Sequence, residues 1–243
     1  MYYTPAPPGS RLFLDFTRDQ FCGKVLDRSG MCGEPAVLQG NPIWKPDGLQ
    51  STLSGGNCII KNNPNIDIVS ASPQKNVIWW GLQNGTNNNP IWLMRKIHSG
   101  TIISQYGFIV DYVDFKFGIR IHTQSGSQKI SFSVIDYTKD FLWCVSWDGS
   151  VFTAYIDMEE IGSYAYGGKL TSSGGDLVIG GRGADGFGQG NVAMCGITVG
   201  ASIAELHEWY RKYHKTSNHT SVVAMQSGTL PDSALDSAIM LKK

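Results

Sequence analysis

The chain has 243 residues, of which 16% are charged, with 29 glycines and 20 basic residues against 20 acidic ones. That length fits one large all-β domain, and such a chain buries most of its apolar surface without metal or disulfide staples. Balanced charge removes the electrostatic case for nucleic acid or an anionic membrane. No apolar run reaches the roughly 18–20 residues that span a bilayer.

Residues 1–10 have no basic or apolar leader segment, so no secretory signal is expected; with Pro5, Pro7 and Pro8 they read as an extended arm. Leu12–Phe16 reads as a strand. Turn signals then crowd residues 17–57, at Asp27–Gly30, Gly33–Pro35, Pro46–Gly48 and Ser54–Gly56. Short strands fit between them around Ala36–Leu38 and Cys58–Lys61. Val77–Gln83 and Ile91–Ile97 are apolar, β-rich runs on either side of an Asn-rich loop, Asn84–Asn89.

Over Phe115–Thr123, Phe115, Phe117, Ile119 and Ile121 alternate with polar residues, which gives a strand with one buried face. Gln124–Gln128 is expected to form a five-residue loop, with the chain returning through Ile130, Phe132 and Val134. Phe141–Trp147 and Val151–Met158 make a second hairpin around Asp148–Gly149, a pair suited to a type I′ turn. Asp176–Gly180 and Val192–Val199 are further strands. Ser202 and Glu205 have capping-box spacing, and Ile203, Leu206, Tyr210 and Tyr213 line one face of a helix over 203–213. The fold class is therefore all-β: an antiparallel sandwich over 11–213 with one short C-terminal helix and an extended tail over 214–243.

The order of these pieces resembles the concanavalin A-like lectin/glucanase superfamily, in particular its laminin-G-like jelly-roll members. Leu12–Phe16 with Val25–Gly30 looks like the opening strand and its D-x-S-G turn. Val77–Trp80 resembles the strand that ends in Trp, and Leu142–Asp157 the W-x-x-V-x-x-x-D-G hairpin. Asp176–Gly181 and Ser202–Tyr210 look like the l-x-I-G-G strand and the closing helix. The resemblance implies a scaffold shared by sugar-binding, catalytic and structural proteins, so it leaves function open.

The catalytic strand of the glucanase branch resembles Glu-x-Asp-x-Glu, whose two carboxyl groups must stand about 5–5.5 Å apart. Here Tyr155-Ile156-Asp157-Met158-Glu159 has Tyr155 at the nucleophile position. Asp157, Glu159 and Glu160 are expected to be solvated acids at a strand end, and no catalytic residue is assigned. Gly181–Gly186 matches G-x-G-x-x-G but lacks the helix that nucleotide binding needs. His98, His122, His207, His214 and His219 show no metal-ligand spacing, and no Gly-x-Ser-x-Gly elbow is present.

Sugar binding needs an aromatic platform and polar groups that reach hydroxyls. Trp80, Trp92, Asn87, Arg182 and Asp185 are the candidates. Trp79 and Trp80, being adjacent, face opposite ways. No cofactor or metal is assigned; Ca²⁺ would suit a lectin, although no Asp/Asn cluster has the spacing of a Ca²⁺ loop. Five cysteines fit neither a zinc pattern nor a dense disulfide framework. Cys22 and Cys32 share a Gly-rich stretch in which they can pair, while Cys144 and Cys195 read as buried thiols. The sequons at Asn84 and Asn218 are read as chance matches.

Together these features lead to the expectation of a non-catalytic binding or structural module. Its partners would be a glycan or neighbouring subunits, within a larger assembly such as a virion surface, spike or tail. The arm and tail would then grip neighbours, and the setting would be extracellular or virion without a Sec signal. A soluble carbohydrate-binding lectin is the alternative, a cytoplasmic one included, and a glycoside hydrolase ranks third.

Overall fold

The computed structural model describes residues 4–19, 23–45, 48–50, 56–67, 76–83, 92–97, 104–113, 116–123, 126–134, 141–165, 174–180, 191–213 and 222–225. Over 76–134 and 222–225 the description is of backbone and register. The strands are β1 (Ser10–Asp15), β2 (Lys24–Val25), β3 (Ala36–Gly40), β4 (Ile43–Lys45), β5 (Gly48–Gln50), β6 (Gly56–Ile60), β7 (Asn76–Gln83), β8 (Trp92–Ile97) and β9 (Ser104–Val113). They continue with β10 (Lys116–Thr123), β11 (Gly126–Val134), β12 (Phe141–Trp147), β13 (Val151–Ile156), β14 (Glu159–Ala165), β15 (Leu177–Gly180), β16 (Asn191–Val199) and β17 (Val222–Met225). One α-helix, α1, covers Ile203–Tyr213.

Two antiparallel sheets form a sandwich. One has eight strands in the order β14-β13-β12-β7-β16-β5-β4, with β1 also paired to β16. The other has nine, β17-β11-β10-β9-β8-β15-β6-β3-β2. Between them lies the main core, to which β12 gives Trp143, Val145 and Trp147, β13 gives Phe152, Ala154 and Ile156, and the facing sheet gives Cys58, Ile60, Leu177 and Ile179. Trp147 stacks on Phe152 at 4.2 Å between ring centroids. Each such aromatic or aliphatic side chain contributes about 1.5–3 kcal/mol on burial.

Strand β12 is buried on both faces, because Leu142 and Cys144 alternate into a second cluster on the outer side of the eight-stranded sheet. That cluster holds Phe13, Ala193 and Met194 from the sheet and Leu206, Trp209 and Tyr210 from α1. The helix starts as its sequence dictates. Glu205 N–H donates to Ser202 Oγ at 3.2 Å, and Ser202 N–H donates to the Glu205 carboxylate at 2.8 Å. Residues 4–10 do not extend away from the domain. Ala6 packs against the helix cluster, the Trp209 indole N–H donates to Pro5 O at 3.1 Å, and Val199 N–H donates to Gly9 O at 2.9 Å. Gly9 has φ +67°, and a Cβ there would meet Val199 O at 2.1 Å, so the strap lies too close to β16 for any side chain at that position.

The D-x-S-G turn works as a staple. Asp27 Oδ1 accepts from Phe13 N–H at 3.0 Å and Ser29 N–H at 3.0 Å, and Oδ2 accepts from Cys32 N–H at 2.9 Å. Next to it Arg28 makes a bidentate pair with Asp19, both bonds 2.7 Å, and donates to Thr4 O at 3.3 Å. The first strand, the following loop and the strap are thereby tied together. Cys32 carries a free thiol rather than the bridge to Cys22, which itself lies outside the described residues. Its Sγ donates toward Arg11 O at 3.8 Å. Burial, with help from Asp27, pushes the Cys32 thiol up to about 12.

Several turns differ from expectation. At Asp148–Gly149 only Gly149 has positive φ, so the turn is not type I′. The Asp148 carboxylate accepts from Ser150 N–H at 2.9 Å and Val151 N–H at 2.8 Å, and this side-chain turn takes the place of the backbone one. The Gln124–Gln128 loop is tighter than five residues: Thr123 pairs with Gly126, leaving only residues 124 and 125, which are not described. Strand β13 ends at Ile156, and Asp157–Met158 forms a two-residue turn into β14. Within the tail, Val222–Met225 pairs with β11.

Candidate functional site

Asp157 is not the solvated acid its sequence position suggested. It is the one non-glycine residue with positive φ among the described residues, at 52°, and its side chain is 14% exposed. Its Oδ1 accepts from Leu142 N–H at 2.9 Å, and its own N–H donates to Leu142 O at 2.7 Å. From above, His207 of α1 brings Nε2 to 3.8 Å from the same oxygen. Asp157 thus joins the start of β12, the β13–β14 turn and the helix. Glu159 and Glu160 are exposed, as expected.

This arrangement lacks the geometry of a retaining pair. Tyr155 is on β13, Asp157 in the turn and Glu159 on β14, so the i, i+2 alternation that would align two carboxylates is broken. Cys144 lies within electrostatic reach of Asp157. Burial, reinforced by that carboxylate, raises its thiol well above the ordinary value, which leaves it a poor nucleophile. A cleft of about 510 Å³ opens between the turn and α1, lined by Met158, Ala204, His207, Glu208, Arg211 and Lys212. Among the described residues no group of three or more His, Cys, Asp or Glu is placed to hold a metal ion. No helix there is long and apolar enough to cross a membrane.

The residues put forward for sugar binding separate into two kinds. Asn87, Arg182 and Asp185 lie outside the described residues, but the strands that lead into and out of their loops do not. In the eight-stranded sheet Gln83, which ends β7, pairs with Asn191, which begins β16, and Asn191 also pairs with Gln50 at the end of β5. In the other sheet Ile179 near the end of β15 pairs with Met94 near the start of β8, and Gly180 pairs with Asn57 near the start of β6. The ends of β5, β7 and β15 and the starts of β6, β8 and β16 therefore lie at the same end of the sandwich.

Three carboxamide residues, Gln50, Asn191 and Gln83, occupy one row at that end, across about 10 Å of backbone. Asn57 lies near the start of β6 in the other sheet, next to the core residue Cys58, and its Oδ1 is buried with no hydrogen-bond partner among the described residues. These four were missed from sequence because each sits on a strand. The available signal was that a polar amide begins or ends an otherwise apolar run.

Trp80 and Trp92 belong to different rows. Trp80 pairs with Trp143 and Cys195, both buried in the main core. Trp92 is two residues from Met94, whose partner Ile179 is in the same core. Both positions thus share rows with core residues of the described strands. Trp79 stands in the other set of rows, between Cys144 and Gly196.

No protein-family model matches the chain, and no curated protein does. Among solved structures, the binding domain of botulinum neurotoxin serotype D superposes with a TM-score of 0.62 at 14% identity, over 84% of this chain and 51% of that one. The serotype D ligand-binding domain in complex with N-acetylneuraminic acid gives 0.60 at 14% identity, over 84% and 51%. A type C structure, described as showing cell entry dependent on two ganglioside molecules, gives 0.59 at 14%, again over 84% and 51%. The chain spans about half the length of these neighbours. At such identity the likeness is one of fold, and it agrees with the antiparallel β-sandwich described above.

Proposed function

We propose that the chain is a non-catalytic glycan-binding module of the concanavalin A-like, laminin-G-like type. Its ligand would sit at the end of the sandwich where residues 51–55, 84–91 and 181–190 connect the sheets. The observation that carries this reading is the register: Gln83 beside Asn191 and Ile179 beside Met94 bring the anchors of two loops chosen for their polar residues to one place. Amides in a row suit sugar hydroxyls, because each offers both donors and an acceptor. The neurotoxin domains named for sialic acid and gangliosides support a sugar as the ligand class.

A glycan array, run with and without Ca²⁺, tests the reading. Binding that weakens in Asn87→Ala, Arg182→Ala and Asp185→Ala is the expected result, and an array silent under both conditions overturns it. Attachment within an assembly such as a virion would extend the same role. Mass in solution tests that extension, which a strictly monomeric protein would remove.

A further inference from the structure

Two of the buried thiols come from opposite sheets. Cys58 lies on β6 between Leu38 of β3 and Ile179 of β15, and its side chain is fully buried in the main core. Cys195 lies on β16 between Leu14 of β1 and Trp80 of β7, and is fully buried in the same core. The second placement depends on a local irregularity. Val192 faces the core, so unbroken alternation would send Met194 inward and Cys195 outward. A register shift between Val192 and Met194 reverses this: Ala193 and Met194 join the helix-side cluster, while Cys195 and Ile197 join the core. Bulges re-aim side chains in this way.

The two thiols also feel one another. Burial pushes both well above the ordinary thiol range, and the nearness of Cys58 raises Cys195 further. The other described cysteines are turned elsewhere: Cys144 points into the helix-side cluster, and Cys32 directs its thiol to Arg11 O. A single buried cysteine serves as a small apolar side chain. Two that meet from opposite sheets can also close a covalent bridge.

We infer that Cys58 and Cys195 are the two halves of an inter-sheet disulfide, closed as the chain folds in the presence of a small-molecule disulfide. A bridge between facing sheets is how antibody sandwiches are pinned. With oxidised glutathione as the oxidant, the Cys58 thiolate attacks one of its sulfurs, forming a mixed disulfide and releasing one glutathione thiolate. The Cys195 thiolate then attacks the Cys58 sulfur, forms the Cys58–Cys195 bond and releases the second glutathione thiolate. The two protons lost from the protein end on the two glutathiones, and the glutathione disulfide takes up two electrons. The timing follows from burial. The thiolate is the reacting form, and in the folded core both thiols hold their protons away from solvent. Stacked sheets lie about 10 Å apart, whereas a bridge needs Cα atoms within about 7 Å. Closure therefore draws β6 and β16 together, which the chain does while it is still packing. The same core then shields the finished bridge from reductants.

The test is refolding of the whole chain from urea in a buffer of reduced and oxidised glutathione, quenched with an alkylating reagent and read by a non-reducing peptide map. The expected result is a linked pair of Cys58 and Cys195 peptides, two hydrogens lighter than the free peptides together. The bridged chain should melt about 5–10 °C above the reduced one. Cys144→Ala should keep that gain and Cys195→Ala should lose it. The map of the parent decides the matter if Cys195→Ala fails to fold. Chain held folded in the same buffer should stay unbridged until urea is added. Alkylation of both thiols after refolding, linkage of either one to Cys22, Cys32 or Cys144 instead, a bridge that leaves the melting temperature unchanged, or rapid bridging of the folded chain would each overturn the inference.

Discussion

The two outer faces of the sandwich differ among the described residues. On the eight-stranded sheet, α1 and the strap of residues 4–10 close over Phe13, Leu142 and Cys144, all fully buried. On the nine-stranded sheet, the row through Val37, Ile59 and Val178 runs from 38% exposed at Val37 to 7% at Val178. The difference is chemical before it is architectural. A strand that is apolar on both faces, as β12 is, demands a second cover; one that alternates cleanly, as β10 does, can leave a face to solvent or to a ligand. Among the described residues, the second apolar cluster stands on the helix side.

Trp209→Ala breaks this comparison most severely. It removes the edge-to-face contact with Phe13 at 5.1 Å and the bond to Pro5 O, and should cost about 3–5 kcal/mol in urea unfolding. Val37→Ala on the open face should stay within about 0.5 kcal/mol of the parent in the same assay. Asp157→Ala leaves Leu142 N–H without its side-chain acceptor and should cost about 1–3 kcal/mol. Asp157→Asn keeps an acceptor and tolerates the left-handed φ, so it should recover much of that loss. Ser202→Ala removes the helix cap, for about 1 kcal/mol and earlier loss of helical circular dichroism on heating.

The smallest effect concerns acid. Hydrogen bonds from the Ser202 backbone and hydroxyl hold the Glu205 carboxyl below its ordinary 4.5. A pKa lowered by folding means stability that is present above the unfolded value and is lost as pH falls through the folded one. The melting-temperature advantage of the parent over Glu205→Gln should therefore be constant above 4.5 and shrink below it. An advantage unchanged down through that window would show that the cap does not depend on the charge.

The helix and the 141–156 hairpin were legible because local signals agreed: a capping box before a periodic apolar face, and two β-rich runs around Asp-Gly. The misses have equally local causes. β9 was passed over since Gly107 and Asp111 interrupt its apolar run. β14 was hidden by a turn without glycine or asparagine, made instead by Asp157 in a left-handed conformation that tertiary bonds to Leu142 hold in place. At the candidate site, sequence composition pointed to loops 84–91 and 181–190. That their anchors adjoin depends on pairings between residues about a hundred positions apart, which no local pattern encodes.

The turn at Asp157 also bears on how this chain can change over generations. By sequence it is one substitution, Tyr155→Glu, from the acidic signature of a hydrolytic relative. By structure it is much farther, because the central acid would have to leave a turn, release a backbone amide and give up its place beneath the helix. A carboxylate at position 155 alone would not come into line with Asp157 and Glu159 on one strand face. Substitution is freer at positions such as Val37 and Met158 that stand outside the packed core.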